Sequence, residues 1–320
     1  MKRVFCLFFI VALWAPGAAF SASAPLQVGT GIDYVYLPYY VAQDAGFYTK
    51  QGFDAKTKLF SWGGEALNAV MAGEMELTST AEPTTMIPFS KGANILIAAT
   101  SCQAGNTIKL VTRSEIKSPQ DLAGKKIGVI VNASQDYYLG KYLEYHRIPV
   151  DKVKAVSIQP PEAVALLERG DIDGFVLHEP WPARAMEISG NKVHILARSG
   201  DNSIYIPTLF IVLNRTYAEK NPEGAKKVVR AIIEASEFIK NNPDKAAEIG
   251  AKNIHVKVDE AKKLIPEFGF RVGIDKFTVD SMKEVAQWLK QRGAIKEEIN
   301  FEKLIQPQYL KEVDPSRITY

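Results

Sequence analysis

Cysteine is nearly absent from this sequence. Cys6 and Cys102 are the two in 320 residues. That excludes a disulfide framework, so the fold has to be held by its hydrophobic core. Histidine is equally sparse. His146, His178, His194 and His255 are scattered, without the spacing that a metal site needs, so no metal is expected. Charge of one sign is lacking too. The chain has 39 Lys and Arg against 36 Asp and Glu, and no basic run beyond its first residues, which excludes nucleic acid as a partner. The apolar run Val4–Trp14 is cut off by Ala15-Pro16-Gly17, well short of the roughly 20 residues of a spanning helix. No nucleophile–base pair and no phosphate-binding glycine loop stands out. Neither catalysis nor a cofactor is therefore expected.

What is present begins at the N-terminus. Met1-Lys2-Arg3, the apolar run and the small residues Ala18 to Ala24 follow the order of a cleavable secretory signal peptide, assigned to residues 1–24. Cleavage after Ser21 and cleavage after Ala24 both suit the small residues there. No cysteine near the junction offers a lipid attachment point. Loss of Lys2 and Arg3 leaves a nearly neutral exported chain, expected in the periplasm.

Beyond the signal, β runs alternate with helical segments, an α/β pattern that favours parallel pairing. Strands are predicted at Leu26–Thr30, Asp54–Phe60, Glu76–Ser79 and Asn94–Thr100, with helices over Leu37–Ala45 and Gly64–Ala72. Gly46 and Gly73 stop those helices. The pattern restarts at Ile108–Thr112. Strands at Lys126–Val131, Val153–Ile158, Gly174–Leu177 and Val193–Leu196 then alternate with helices near Ser134–Tyr145, Pro161–Arg169 and Pro182–Ser189. Ser118-Pro119 reads as an N-cap followed by proline at the first helical position. Ile206–Asn214 reads as a strand leaving this unit. After it come helical stripes at Ala225–Ile239, Val258–Ile265 and Val279–Gln291, which need a surface to cover their apolar faces. With 47% hydrophobic residues, the chain is large enough for two lobes. The expected division is a first lobe over 25–112, a second over 113–212, and a return over 213–320 with the helical layer packed on one lobe. Crossings near Arg113 and Val212 would form a two-strand hinge, with ligand between the lobes.

Several stretches, in order, resemble ABC solute-binding proteins of the nitrate/sulfonate/taurine type. They are Leu37-Pro38-Tyr39-Tyr40-Val41-Ala42-Gln43-Asp44-Ala45-Gly46-Phe47-Tyr48, Gly63–Gly73, Ser118–Val129, and Glu168–Gly174 followed by Glu179-Pro180. The resemblance implies a type II periplasmic-binding-protein (Venus flytrap) fold. It also implies an ABC permease with a cytoplasmic ATPase as the membrane complex on which the protein docks. The same superfamily includes binders of thiamine-pyrimidine precursors, so the fold leaves the ligand open. It also leaves open a ligand-sensing receptor subunit in place of an importer subunit.

The candidate ligand-binding residues are those just after strands. In the first lobe they are Asp33, Tyr34, Tyr36, Trp62, Gly63, Gly64, Thr80 and Glu82. In the second they are Asn132, Ser134, Gln135, Tyr137, His178, Glu179 and Trp181. Gly63-Gly64 opens a helix, either to cradle an anion on free N–H groups or as a plain turn. Ser134 can cap its helix, offer its hydroxyl to a ligand, or both. Trp62, Trp181, Tyr34 and Tyr36 can box an apolar ligand face or fill the core. Glu82 and Glu179 either receive an amino group of the ligand or are satisfied by backbone N–H groups or a lysine. With Arg184 the one arginine near these segments, the expected ligand is amino-bearing or zwitterionic, a small sulfonate such as taurine rather than nitrate.

Overall fold

The computed structural model describes residues 24–320. The expected signal peptide, apart from its last residue, lies outside the described residues.

Four strands enter a first sheet: β1 (Ala24–Gly31), β2 (Phe53–Phe60), β3 (Leu77–Ala81) and β4 (Ile95–Gln103). The chain crosses over and builds a second sheet from β5 (Ile108–Arg113), β6 (Lys126–Val129), β7 (Lys154–Ser157), β8 (Gly174–His178) and β9 (Val193–Arg198). It then returns as β10 (Thr208–Asn214). The strand orders are β2-β1-β3-β10-β4 and β7-β6-β8-β5-β9. A short parallel pair, β11 (Ile274–Asp275) with β12 (Ile318–Thr319), closes the C-terminal region. β3, β8 and β10 are buried along their whole length, as strands covered on both faces must be.

The expected parallel pairing holds for β1 with β2 and β3, and for β6 with β7 and β8. It fails for β5 and β10, the first strand laid down after each crossing. Each runs antiparallel to both of its neighbours. These strands arrive from the other sheet, without the crossover helix that returns a chain to the edge where a parallel strand starts.

The crossings occupy residues 104–107 and 199–207, not the neighbourhoods of Arg113 and Val212. Sequence alternation marks where strands end but not which sheet a strand joins. β5 belongs wholly to the second lobe and β10 wholly to the first. The two passes run side by side: the Ala104 N–H donates to the Pro207 carbonyl at 3.2 Å, and Ser199 Oγ donates to the Gly105 carbonyl at 2.8 Å.

The C-terminal layer contains the expected stripe, lengthened to Pro222–Asn241 and capped by the Asn221 side chain on the Gly224 N–H at 3.0 Å. A helix over Pro243–Ile254 that the sequence reading did not identify lies against the first lobe. Gly250 permits the approach, since a Cβ there would meet Leu37 Cδ1 at 3.2 Å. The layer also touches the second lobe, which corrects the expectation that it packs on one. Trp288, on the helix Lys276–Gln291, sets its ring edge-on to Tyr137 at 5.0 Å between centroids, and Arg292 reaches Asp136 at 3.3 Å.

Candidate functional site

The two lobes face each other across the C-terminal ends of their strands. After β1 the chain turns through Ile32 and Asp33 into the turn Tyr34–Tyr36. Asp33 caps that turn by accepting from the Val35 N–H at 3.0 Å. After β2, Ser61 and Trp62 lead into the helix Gly63–Met71; after β3, Ala81 leads directly into Glu82–Ser90. In the second lobe, Ile130–Ala133 leads from β6 into the helix Ser134–Tyr145, and β8 ends at His178 before Glu179-Pro180 and the helix Trp181–Ser189. These segments enclose a cavity of about 50 Å³.

Ten of the fifteen candidates line it: Asp33, Tyr36, Trp62, Gly63, Gly64, Thr80, Ser134, Gln135, His178 and Trp181. The two glycines are required by close packing. A Cβ on Gly63 would meet the Tyr36 hydroxyl at 2.3 Å, and one on Gly64 would meet the Trp62 ring at 2.1 Å. Tyr36 is fixed by donating its hydroxyl to the Ser79 carbonyl at 2.8 Å. Trp62 leans across the cleft and packs on the apolar cluster of the second lobe, as does Ile32. Arg184 lies over the Trp181 ring at 4.9 Å. Ser134 is not the cap of its helix. Ala133 holds the cap position, and Ser134 is the first helical residue, with its hydroxyl 3.2 Å from Gln135 Oε1.

Five candidates are not among its lining residues. Tyr34 is buried against Phe268. Tyr137 is wedged between Tyr205 and Trp288. Asn132 is exposed, in a left-handed turn whose N–H donates to Asp136. Glu82 and Glu179 are satisfied by the protein itself. Glu82 accepts from the Tyr205 hydroxyl at 2.7 Å, the Thr208 N–H at 3.2 Å and the Ser281 hydroxyl at 3.2 Å. Glu179 accepts from Lys109 Nζ at 2.6 Å and the Ala183 N–H at 3.0 Å. Lys109 also lies within ion-pair distance of Glu267, at 2.9 Å. Both glutamates are thus held by donors of the protein, the alternative that the sequence left open for them.

Sequence reasoning missed Thr84, Ala81 and Pro160 in the lining. Pro160 follows β7 inside a capping box formed by Gln159 and Glu162, a signal that was available. Thr84 lies in a helix whose Pro83 and Pro88 hide it from propensity.

The electrostatics of the cavity are simple. No lysine or arginine is among its lining residues. His178 is neutral, because burial lowers its pKa to about 3, and its Nδ1 lies 3.2 Å from Thr107 Oγ1. Asp33 is the one carboxylate in the lining. Burial pushes its carboxyl well above the usual range, against the Val35 N–H, and the nearby Glu179 charge adds to the rise. The helices that begin at Gly63 and Ser134 turn their first residues to the cavity, and neither has a side-chain cap. The free N–H groups and dipoles of these two supply positive potential. The helix Glu82–Ser90 reaches the lining only at Thr84; its Glu82 N–H is taken by the Glu82 carboxylate and Pro83 has no N–H to offer. The arrangement can hold an anionic group at the helix ends and a donor cation at Asp33.

The profile of the NMT1/THI5-like family matches residues 34–246. A protein of Brucella abortus (strain 2308), named as a binding protein, is 29% identical over 264 residues, 81% of this chain and 80% of its own length. The taurine-binding periplasmic protein of Escherichia coli (strain K12) is 29% identical over 209 residues, 65% of this chain and 64% of its own. Among solved structures, the periplasmic aliphatic sulphonate binding protein SsuA from Escherichia coli aligns with a TM-score of 0.76 at 17% identity, over 90% of this chain and 99% of that one. The periplasmic nitrate-binding protein NrtA from Synechocystis PCC 6803 gives 0.76 at 14% identity, over 92% and 89%. The expected two-lobed α/β binding-protein fold is thus the fold found. None of the helices described is long and apolar enough to cross a membrane.

Proposed function

The chain belongs to the NMT1/THI5-like family, and from that premise we propose that it is the periplasmic substrate-binding component of an ABC importer, capturing a small amino-sulfonate between its lobes. One observation carries the reading: a cavity faced by two uncapped helix N-termini, at Gly63 and Ser134, contains a single carboxylate, Asp33, and no basic side chain. Each helix end contributes roughly 0.3–1 kcal/mol towards an anion, up to about 2 when partly buried. Together they suit a sulfonate without arginine. Asp33 then receives an ammonium in a charge-assisted hydrogen bond. This moves the expected negative end from Glu82 and Glu179 to Asp33. Tyr36, Trp62 and Trp181 cover the short carbon chain between the two ends.

The relatives' names agree in class, since they include taurine- and aliphatic-sulfonate-binding proteins. In this reading a permease and a cytoplasmic ATPase are the partners, and the N-terminal signal delivers the protein to them.

Calorimetry of the purified protein against taurine, ethanesulfonate, nitrate and an aminopyrimidine tests the assignment. Taurine is expected to bind tightest. Asp33→Asn should weaken taurine about ten- to a hundred-fold, the worth of a hydrogen bond to a charged group, and leave ethanesulfonate nearly unchanged. Tightest binding of nitrate or of the pyrimidine would overturn it.

A further inference from the structure

Glu82 is the first residue of the helix Glu82–Ser90 and is wholly buried. Its sequence neighbours Thr80, Ala81 and Thr84 line the cavity. Its three partners come from three other segments: Tyr205 on the second crossing, Thr208 at the start of β10, and Ser281 on the helix Lys276–Gln291. All three are neutral donors. A buried carboxyl therefore lies directly behind the cavity wall formed by Ala81 and Thr84, with no cation among the groups that hold it.

We propose that Glu82 makes the anion end of the cleft proton-dependent. With its carboxyl neutral, nothing behind this wall opposes an anion held at the Gly63 and Ser134 helix ends; with the carboxylate ionised, two like charges repel across Ala81 and Thr84. The proposal rests on the reading of the ligand as an anion.

Burial pushes the Glu82 carboxyl up to about 7, against the opposing pull of its hydrogen bonds. The groups facing it do not titrate in that range. Burial holds the Tyr205 hydroxyl well above its ordinary value, and the charge of Glu82 adds to this. Tyr137, whose ring packs on Tyr205 at 4.7 Å, is raised likewise by burial, with smaller contributions from Glu284, Glu82 and Glu144. Asp33, in the cavity wall, is the other carboxyl able to respond to a ligand. An anion at the helix ends disfavours ionised Glu82 and raises its pKa further. Binding then takes up a proton, and affinity falls as pH rises through the Glu82 titration.

The test is calorimetry of taurine and ethanesulfonate binding between about pH 6 and 8.5, in buffers of different ionisation enthalpy. Wild type should take up a proton on binding near neutral pH and lose affinity by about tenfold or more across the range. Glu82→Gln should bind ethanesulfonate without the Glu82 proton, leaving only the dependence that Asp33 contributes. Tyr205→Phe removes one donor to the carboxylate, so it should move the midpoint of the profile to higher pH. This keeps the proposal open to test if Glu82→Gln fails to fold. A wild-type profile retained in Glu82→Gln, or a midpoint unmoved in Tyr205→Phe, would overturn the proposal. Tight sulfonate binding with a flat wild-type profile also overturns it and leaves the proposed function standing. An absence of sulfonate binding at every pH removes both.

Discussion

His178 lines the cleft as a neutral ring because burial lowers its pKa to about 3. The unfolded chain carries a histidine of ordinary pKa, about 6.5. The unfolded state therefore binds the extra proton between those values, and stability drains away as pH falls from about 6.5 towards 3. Thermal unfolding of His178→Gln across this range should show a shallower acid loss than wild type; an identical slope would place the acid sensitivity elsewhere. Gly64 gives a second residue-level expectation. Its missing Cβ is the space that the Trp62 ring occupies. Gly64→Ala should displace that ring, reduce taurine affinity at least about tenfold through lost coverage, and change the tryptophan fluorescence. Unaltered fluorescence would show that the ring does not depend on the glycine. The sequence made Trp62 and Gly64 legible because both follow a strand directly. It misplaced Glu82 and Glu179 for the same reason. Both follow strands, but Tyr205, Ser281 and Lys109, which satisfy them, are remote in sequence and leave no local trace.

β5 shows what holds an inserted strand in place. Lys109 lies in its buried run, 3% exposed, and pairs with Glu179 just beyond the neighbouring β8. Burial raises the Glu179 carboxyl, and the lysine opposes that rise. Lys109→Met removes one partner and strands the other, so it should destabilise by about 3–5 kcal/mol in denaturant unfolding. Glu267→Gln should cost far less, because Glu267 is partly exposed and the Lys109–Glu179 pair survives it. Equal losses in the two variants would contradict this division. Among the elements, strands and glycine-stopped helices were readable from alternation and punctuation. The helix Glu82–Ser90 was not, because its interior Pro88 reads as a breaker. Nor were the directions of β5 and β10, which follow from the crossings and not from their own residues.

At the scale of the molecule, two lobes are joined by two adjacent passes and clasped from one side by the C-terminal layer. Trp288 and Arg292 on that layer hold the helix Ser134–Tyr145 of the second lobe. Ligand is expected to draw the lobes together about the passes. Solution scattering should then show a smaller radius of gyration with saturating taurine than without; tight binding at constant radius would exclude hinge closure. The ordered motifs made two lobes visible in the sequence, but the boundaries slipped because a strand does not announce which sheet receives it. The proximity of the passes has a consequence for ancestry and engineering. Residues 108–198 leave and re-enter the first lobe at neighbouring points, so the second lobe is a cassette whose ends nearly meet. Recombination at those points can exchange one half of the binding cleft without cutting the other. A chimaera with a relative's second lobe would keep Asp33 and the helix end at Gly63, and inherit its remaining ligand contacts from the donor.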